Sequence, residues 1–274
     1  MKRLISMCIL LLLMNPQELL AQKFYMKSNL GYSMATGPQS IVEFYDLIEE
    51  NTGSIYIEQN KISLGQGLQT NLGFGYGINP NFALELNFSY FHGAKSKREI
   101  GTLDNYFEMS LRGRMISISP SIVLSSDKGY SDLSYYSRAG LIMGFGPSIV
   151  FLTQSLGERI TLYEQRFILS GSSAYGFNGA FGVKKKFERL DLFLELDYRA
   201  ISYTPSKMTM VKSTVNGDSN LDRYNTSEIE TVFLDELRVD NQSSNNPSKA
   251  SEALTSSFAF SSIGLNFGLS FILF

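Results

Sequence analysis

The chain has 274 residues, of which 43% are apolar and 18% charged, with a formal net charge of −2. Lacking a basic surplus, it has no electrostatic hold on nucleic acid, and no nucleic-acid partner is expected. One cysteine (Cys8) and one histidine (His92) exclude a disulfide framework and a thiolate metal cage, and no cofactor is expected.

Residues 1–21 read as a secretory signal peptide. Lys2 and Arg3 supply the positive start, Leu4 to Met14 is free of charge, Asn15-Pro16-Gln17-Glu18 ends the run, and Ala21 offers a small residue at the cut. The apolar run is well short of the roughly 20 residues that a membrane-crossing helix needs. Cys8 lies inside that run rather than after it, so it reads as a signal-core hydrophobe and not as a lipid anchor. Residues 22–274 then form one exported domain without cysteine, which suits the bacterial envelope.

The remainder alternates with period two in eight segments of about ten residues, the pattern of membrane-crossing strands. In the first, near 23–34, Phe24, Met26, Leu30 and Tyr32 oppose Lys27, Asn29, Gly31 and Ser33. The second, near 63–77, sets Leu64, Leu68, Leu72, Phe74 and Tyr76 against glycines, Gln69 and Asn71. Its Gly73-Phe-Gly-Tyr-Gly77 run leads into Asn79-Pro80 and not into a helix, so these are lumen glycines and not a nucleotide loop. Ile78-Asn79-Pro80-Asn81 has the chemistry of a tight turn. The third segment, near 81–92, alternates Phe82, Leu84, Leu86, Phe88 and Tyr90 with Ala83, Glu85, Asn87 and Ser89.

The fourth, near 111–124, alternates isoleucines with serines and contains Pro120, which a strand tolerates at a bulge or near an edge. A short turn around Asp127-Lys128-Gly129 leads to the fifth, near 133–145. The sixth lies near 174–187, and Glu188-Arg189 turns into the seventh, near 190–203. There the alternation is cleanest: Leu190, Leu192, Leu194, Leu196 and Tyr198 against Asp191, Glu195, Asp197 and Arg199. The eighth closes the chain near 258–274.

Alternation alone does not separate a soluble sandwich from a barrel in lipid. The polar face is rich in Gly, Ser and Asn, as a narrow lumen requires, and Tyr and Phe gather toward segment ends. Connections near 78–81, 125–132 and 188–190 are brief, whereas those near 35–62, 93–110, 146–173 and 204–256 are long. Short periplasmic turns facing long outer loops are the asymmetry of outer-membrane barrels. The fold class is therefore all-β: an antiparallel up-and-down transmembrane barrel of eight strands with long extracellular loops. Residues 149–169 or 228–239 would raise the count to ten.

Over residues 23–274 the chain resembles the small eight-stranded outer-membrane barrels of OmpA/OmpX type. The most telling stretch is the final Ser262-Ile-Gly-Leu-Asn-Phe-Gly-Leu-Ser-Phe-Ile-Leu-Phe274. The resemblance implies an assembly signal at Phe271, Leu273 and Phe274, read by the barrel-assembly machinery, although Leu273 and not Phe274 is in phase with the lipid-facing positions. It implies a monomer in the outer membrane, among outer-membrane lipid and lipopolysaccharide.

The charges of inward parity are Lys27, Glu85, Arg138, Lys184, Glu195, Asp197 and Arg199. Buried charge is costly unless paired, and eight-stranded lumens are normally filled by side chains. The set is expected to form an ion-paired plug; an ion-selective pore is the alternative. Arg112 and Arg114, at the loop end of the fourth strand and of outward parity, are candidates for lipopolysaccharide phosphates, with Lys95, Lys97 and Arg98 in the preceding loop. Lipid-A-modifying barrels use His with Ser at the outer rim, but His92 is followed by Gly93 and Ala94 and lacks their His-x-Ser spacing. No enzyme is expected.

The long loops exceed what ring closure requires. Ile41, Phe44, Tyr45 and Ile48 fall at helical spacing, and Ser40 could cap such a helix. Residues 149–169 predict a protruding hairpin, 212–225 a flexible segment, and 241–249 a disordered one. The expected role is structural or surface-binding, with the outer loops meeting an extracellular protein or ligand. Passive transport through a narrow pore, or by a carrier of small hydrophobic compounds, is the second reading. Lipid-A modification and an accessory part in secretion follow at a distance.

Overall fold

The computed structural model describes residues 23–36, 39–49, 55–62, 64–101, 106–126, 132–157, 161–237 and 246–273. The expected signal peptide, the turn at Asp127-Lys128-Gly129 and the final Phe274 lie outside them.

Eight antiparallel strands close a ring: β1 (Lys23–Ala35), β2 (Gly67–Asn79), β3 (Phe82–Gly93), β4 (Tyr106–Ser125), β5 (Leu133–Gly157), β6 (Ala174–Lys186), β7 (Leu190–Tyr203) and β8 (Ser262–Ile272). Sequential neighbours pair throughout. Closure comes from β8 against β1, in a ladder from Tyr25↔Ile272 to Ala35↔Ser262. The count is therefore eight. Residues 149–157 prolong β5 and pair with Thr161–Ser170 outside the ring, as a hairpin and not as ninth and tenth ring strands.

Exposure alternates along each strand in the sense opposite to a soluble protein. Leu30, Leu68, Phe88, Ile116, Leu141, Phe177, Leu196 and Phe267 face outward and are exposed, while Lys27, Asn71, Glu85, Ser119, Arg138 and Glu195 are buried within. Such an apolar exterior around a polar interior is the arrangement of a barrel in lipid. Phe24 and Tyr76 meet at 4.8 Å near the short turns, and Tyr32, Tyr90 and Tyr175 lie exposed nearer the loops. No helix among the described residues is long and apolar enough to cross a membrane.

The short turns follow from local chemistry. Asn81 N–H donates to Asn79 Oδ1 at 2.9 Å, an Asx turn braced by Asn81 Nδ2 on Ser125 O at 2.7 Å. Phe187 N–H donates to Leu190 O at 2.8 Å around Glu188-Arg189. The start of β1 and the end of β8 lie at this side, where Leu273 N–H donates to Phe24 O at 2.8 Å.

Pro120 is at neither a bulge nor an edge. It pairs with Leu86 of β3, and the β4–β5 ladder skips Ser119 and Pro120 without changing register. The missing N–H is thus accommodated by an interruption in the ladder. The bulge lies instead between Arg114 and Ile116, where β5 carries one extra residue. Gly146 there has φ +55°, the left-handed conformation of a glycine bulge. The extra residue reverses the parity of β5, so that Pro147 and Ile149 become buried where Phe145 was exposed.

Beyond the bulge the sheet continues above the barrel. In order across it lie Ser251–Leu254, Glu230–Leu234, Lys207–Val215, Thr161–Ser170, the far halves of β5 and β4, and Ser96–Gly101. Three loop expectations change. Residues 39–49 are not a helix but a strand paired with Ile55–Ile62. Their β-branched and aromatic residues fit a strand as well as the helical spacing does, and the partner strand supplies the hydrogen bonds. The segment 212–225 takes up regular structure: its start completes the strand Lys207–Val215, and Tyr224 packs back with its hydroxyl accepting from Gln165 at 3.2 Å. Of 241–249, the part described, 246–249, is a turn closed by Lys249 N–H on Asn246 O at 3.0 Å.

An apolar cluster fills the loop end of the ring: Phe91, Met115, Ile142, Ile201, Tyr203 and Phe260 are among its buried members. Phe260 folds over the mouth, with its N–H on Ile201 O at 3.0 Å and its ring edge-on to Phe91 and to Tyr203, each at 6.1 Å. It fits only because position 113 is glycine; a Cβ there would lie 2.4 Å from the Phe260 ring. Gly113→Val is therefore expected to displace Phe260 and to cost about 1–3 kcal/mol, read as a lower midpoint of urea unfolding in lipid vesicles.

Candidate functional site

The middle of the lumen is built from strand parity. Every second residue of each strand points inward, so Lys27, Glu85, Arg138, Glu195, Asp197 and Arg199 converge from β1, β3, β5 and β7. Lys27 Nζ is 2.5 Å from Glu85 Oε2. Arg138 lies between two carboxylates, with Nη2 at 2.6 Å from Glu195 Oε1 and Nε at 3.8 Å from Glu85 Oε2. Arg199 Nε donates to Asp197 Oδ2 at 2.7 Å. Three cations thus face three carboxylates and the set is formally neutral. Glu195 is 0% and Asp197 1% exposed, so these ions depend on one another and not on water.

Neutral groups occupy the remaining lone pairs. Tyr25 donates to Glu85 Oε1 at 2.8 Å and Tyr136 to Glu195 Oε2 at 3.0 Å. Asn266 Nδ2 donates to Asp197 Oδ1 at 2.8 Å. Arg199 Nη2 reaches Asn71 Oδ1 at 3.3 Å, and Asn71 in turn donates to Asn29. The void left among Asn71, Asn87, Ser119, Arg138 and Arg199 is about 10 Å³, at the lower limit for one water. A hydrated ion does not fit at this level.

Lys184 lies elsewhere. It stands 3.9 Å from Asp191 Oδ2 on the wall of a vestibule that opens at the short-turn end. Sequence reasoning passed over Asp191, although it shares the parity of Glu195, Asp197 and Arg199. It also passed over Tyr25, Tyr136 and Asn266, which carry no charge to draw attention but point inward by the same count.

At the loop rim, Arg114 is exposed on the outward face, opposite His92 in the β3–β4 ladder, and Arg112 is half-buried. Lys95 and Lys97 both lie 3.2 Å from Glu108 Oε1, so these two are committed to a local ion pair. The side chain of Arg98 lies outside the described residues. Ser89 points into the lumen whereas His92 has outward parity, and the strand itself separates them. Phe271 and Leu273 are exposed on the outer face.

No family model matches the chain, and the comparison with curated proteins returns no match. Among solved structures the chain is similar to the crystal structure of Neisserial surface protein A (NspA), with 12% sequence identity and a TM-score of 0.38, over 90% of this chain and 96% of that one. At that score the likeness carries no argument, and the architecture rests on the closed strand register and the lipid-facing exterior.

Removing one partner of a buried ion pair leaves the other uncompensated. Glu195→Ala is expected to lower stability by about 3–5 kcal/mol, whereas Arg138→Met combined with Glu195→Leu is expected to recover much of it. Urea unfolding of the parent protein and the two variants in vesicles reads the difference.

Proposed function

We propose that this protein is a non-conducting outer-membrane barrel whose filled lumen is structural and whose working surface is the sheet raised above its loop end. The observation that carries this is the closure of the lumen at two successive levels, the neutral ion network and the apolar cap around Phe260. Neither level offers a hydrated path, and an eight-stranded ring has little width to spare. The long connections on one side are far larger than closure needs, and pairing organises them into a sheet that extends β4 and β5. The reading places this sheet outside the cell, the short turns in the periplasm, and an extracellular protein or ligand as its partner. No catalytic constellation enters the reading.

The refolded barrel in a planar bilayer is expected to stay silent. A steady ion current from folded protein would overturn the reading and make passive transport the function.

Within this orientation, Arg112 and Arg114 lie at the height of lipopolysaccharide phosphates, where charge-assisted hydrogen bonds are strong. Replacing both by Gln is expected to reduce the lipopolysaccharide that purifies with the folded barrel, measured against the parent protein. Unchanged retention would remove this contact from the account.

A further inference from the structure

The sheet raised above the loop end has two outer edges, and they differ. At one lies Ser96–Gly101, with Lys97, Arg98 and Glu99 in succession, and charged residues along an edge discourage further pairing. At the other lies Ser251–Leu254, which carries one charged residue, no proline and no bulge. It pairs on one side only, parallel to Glu230–Leu234. Such an edge is a template for a further strand.

The backbone groups on offer follow from alternation. Thr255 N–H donates to Leu234 O at 2.9 Å, so Ser251 and Ala253 turn their peptide groups to Glu230–Leu234, and Glu252 and Leu254 turn theirs away. No described residue pairs with the N–H and C=O groups that point away. Leu254 is 59% exposed, and Val232, diagonal to it on the same face, is exposed as well. The charge around them is one-sided. Among the described residues between 225 and 257, Glu228, Glu230, Asp235, Glu236 and Glu252 stand against Lys249 alone. Lys249 is taken by Glu252 at 3.5 Å, and Glu228 accepts from Asn225 N–H at 2.8 Å. Glu230 and Glu236 meet no cation among the described residues.

That charge selects the occupant. A second copy of this chain would bring the same carboxylates together, which like-charge repulsion opposes. A strand with a lysine or arginine opposite Glu252 and an apolar residue opposite Leu254 satisfies both the field and the apolar face.

We propose that Ser251–Leu254 takes up an extended basic segment of an extracellular protein as an added antiparallel strand. The residues opposite Glu252 and Leu254 exchange both backbone hydrogen bonds with them, and the alternate side chains set the specificity. This rests on the reading that the loop sheet is the working surface outside the cell.

The probe is fluorescein-labelled Lys-Thr-Val-Thr-Lys-Thr-Lys-amide, titrated by anisotropy against the folded barrel in nanodiscs of zwitterionic lipid at low salt. Saturable binding is expected below about 1 mM, and replacing the three lysines by glutamates is expected to weaken it about tenfold or more. N-methylation of the Val and the central Lys, whose amides face the edge, is expected to abolish binding, whereas methylation of the Thr between them spares it. Leu254→Pro removes an outward N–H without touching the ladder to Glu230–Leu234, and is expected to weaken binding about tenfold. Heat-dependent gel mobility shows that this variant's barrel is intact. No saturation at millimolar concentration, equal binding of the glutamate peptide, any other methylation pattern, or undiminished binding to Leu254→Pro would each overturn the proposal.

Placement is tested on whole cells. In a Cys8→Ser background, Lys249→Cys puts the chain's one thiol beside the edge, and a membrane-impermeant maleimide is expected to label it from outside. No labelling of folded protein would overturn the outer placement and the reading built on it. Labelling without peptide binding would overturn the strand addition alone.

Discussion

A charge that points into an eight-stranded ring has no bulk water to solvate it, so it must meet an opposite charge within the lumen. Much of the structure follows from that constraint. Lys27 and Glu85 come from β1 and β3, Arg138 and Glu195 from β5 and β7. Each pair therefore joins strands that do not hydrogen-bond to each other. The ladders fix neighbours; the ion network fixes the ring as a whole. A slip of one residue in any of these strands would carry a charge to the lipid face and leave its partner buried alone, so the network also specifies register.

The barrel was legible in the sequence because strand parity is a local property. The run Leu190 to Arg199 shows its two faces without reference to any other part of the chain, and the burial of Glu195, Asp197 and Arg199 follows from the same count. What was not legible depends on partners distant in the chain. Residues 39–49 satisfy helical spacing and strand propensity alike, and only the pairing with Ile55–Ile62 separates the two. The start of the segment 212–225 reads as flexible until Thr161–Ser170 lies beside it, as the last residues of the strand Lys207–Val215. Charge alone does not reveal the part of Tyr25, Tyr136 and Asn266 in completing the network. Parity groups Lys184 with the others, but parity gives the face and not the height.

The barrel thus has three interior storeys of different chemistry. The loop end is apolar and capped, the middle ionic and dense, the short-turn end open and lined by charged and aromatic residues together. Inward glycines leave room for the polar side chains of the middle, as Gly73 does beside Lys27 and Gly264 beside Asp197, whereas Phe260 closes the top from a connection and not from a ring strand.

The single extra residue at Gly146 has a mechanical consequence. Because the bulge turns β5 without ending it, the same backbone that crosses the membrane continues to Gly157. At about 3.3 Å per residue, Gly146–Gly157 carries the tip roughly 35–40 Å along the strand from the rim. That reach is held by cross-strand hydrogen bonds on both sides of β5 and not by a tether. A surface carried on such a mast is already ordered when a partner arrives, and little conformational freedom is lost on docking. Any force on the tip is transmitted straight into the wall of the barrel.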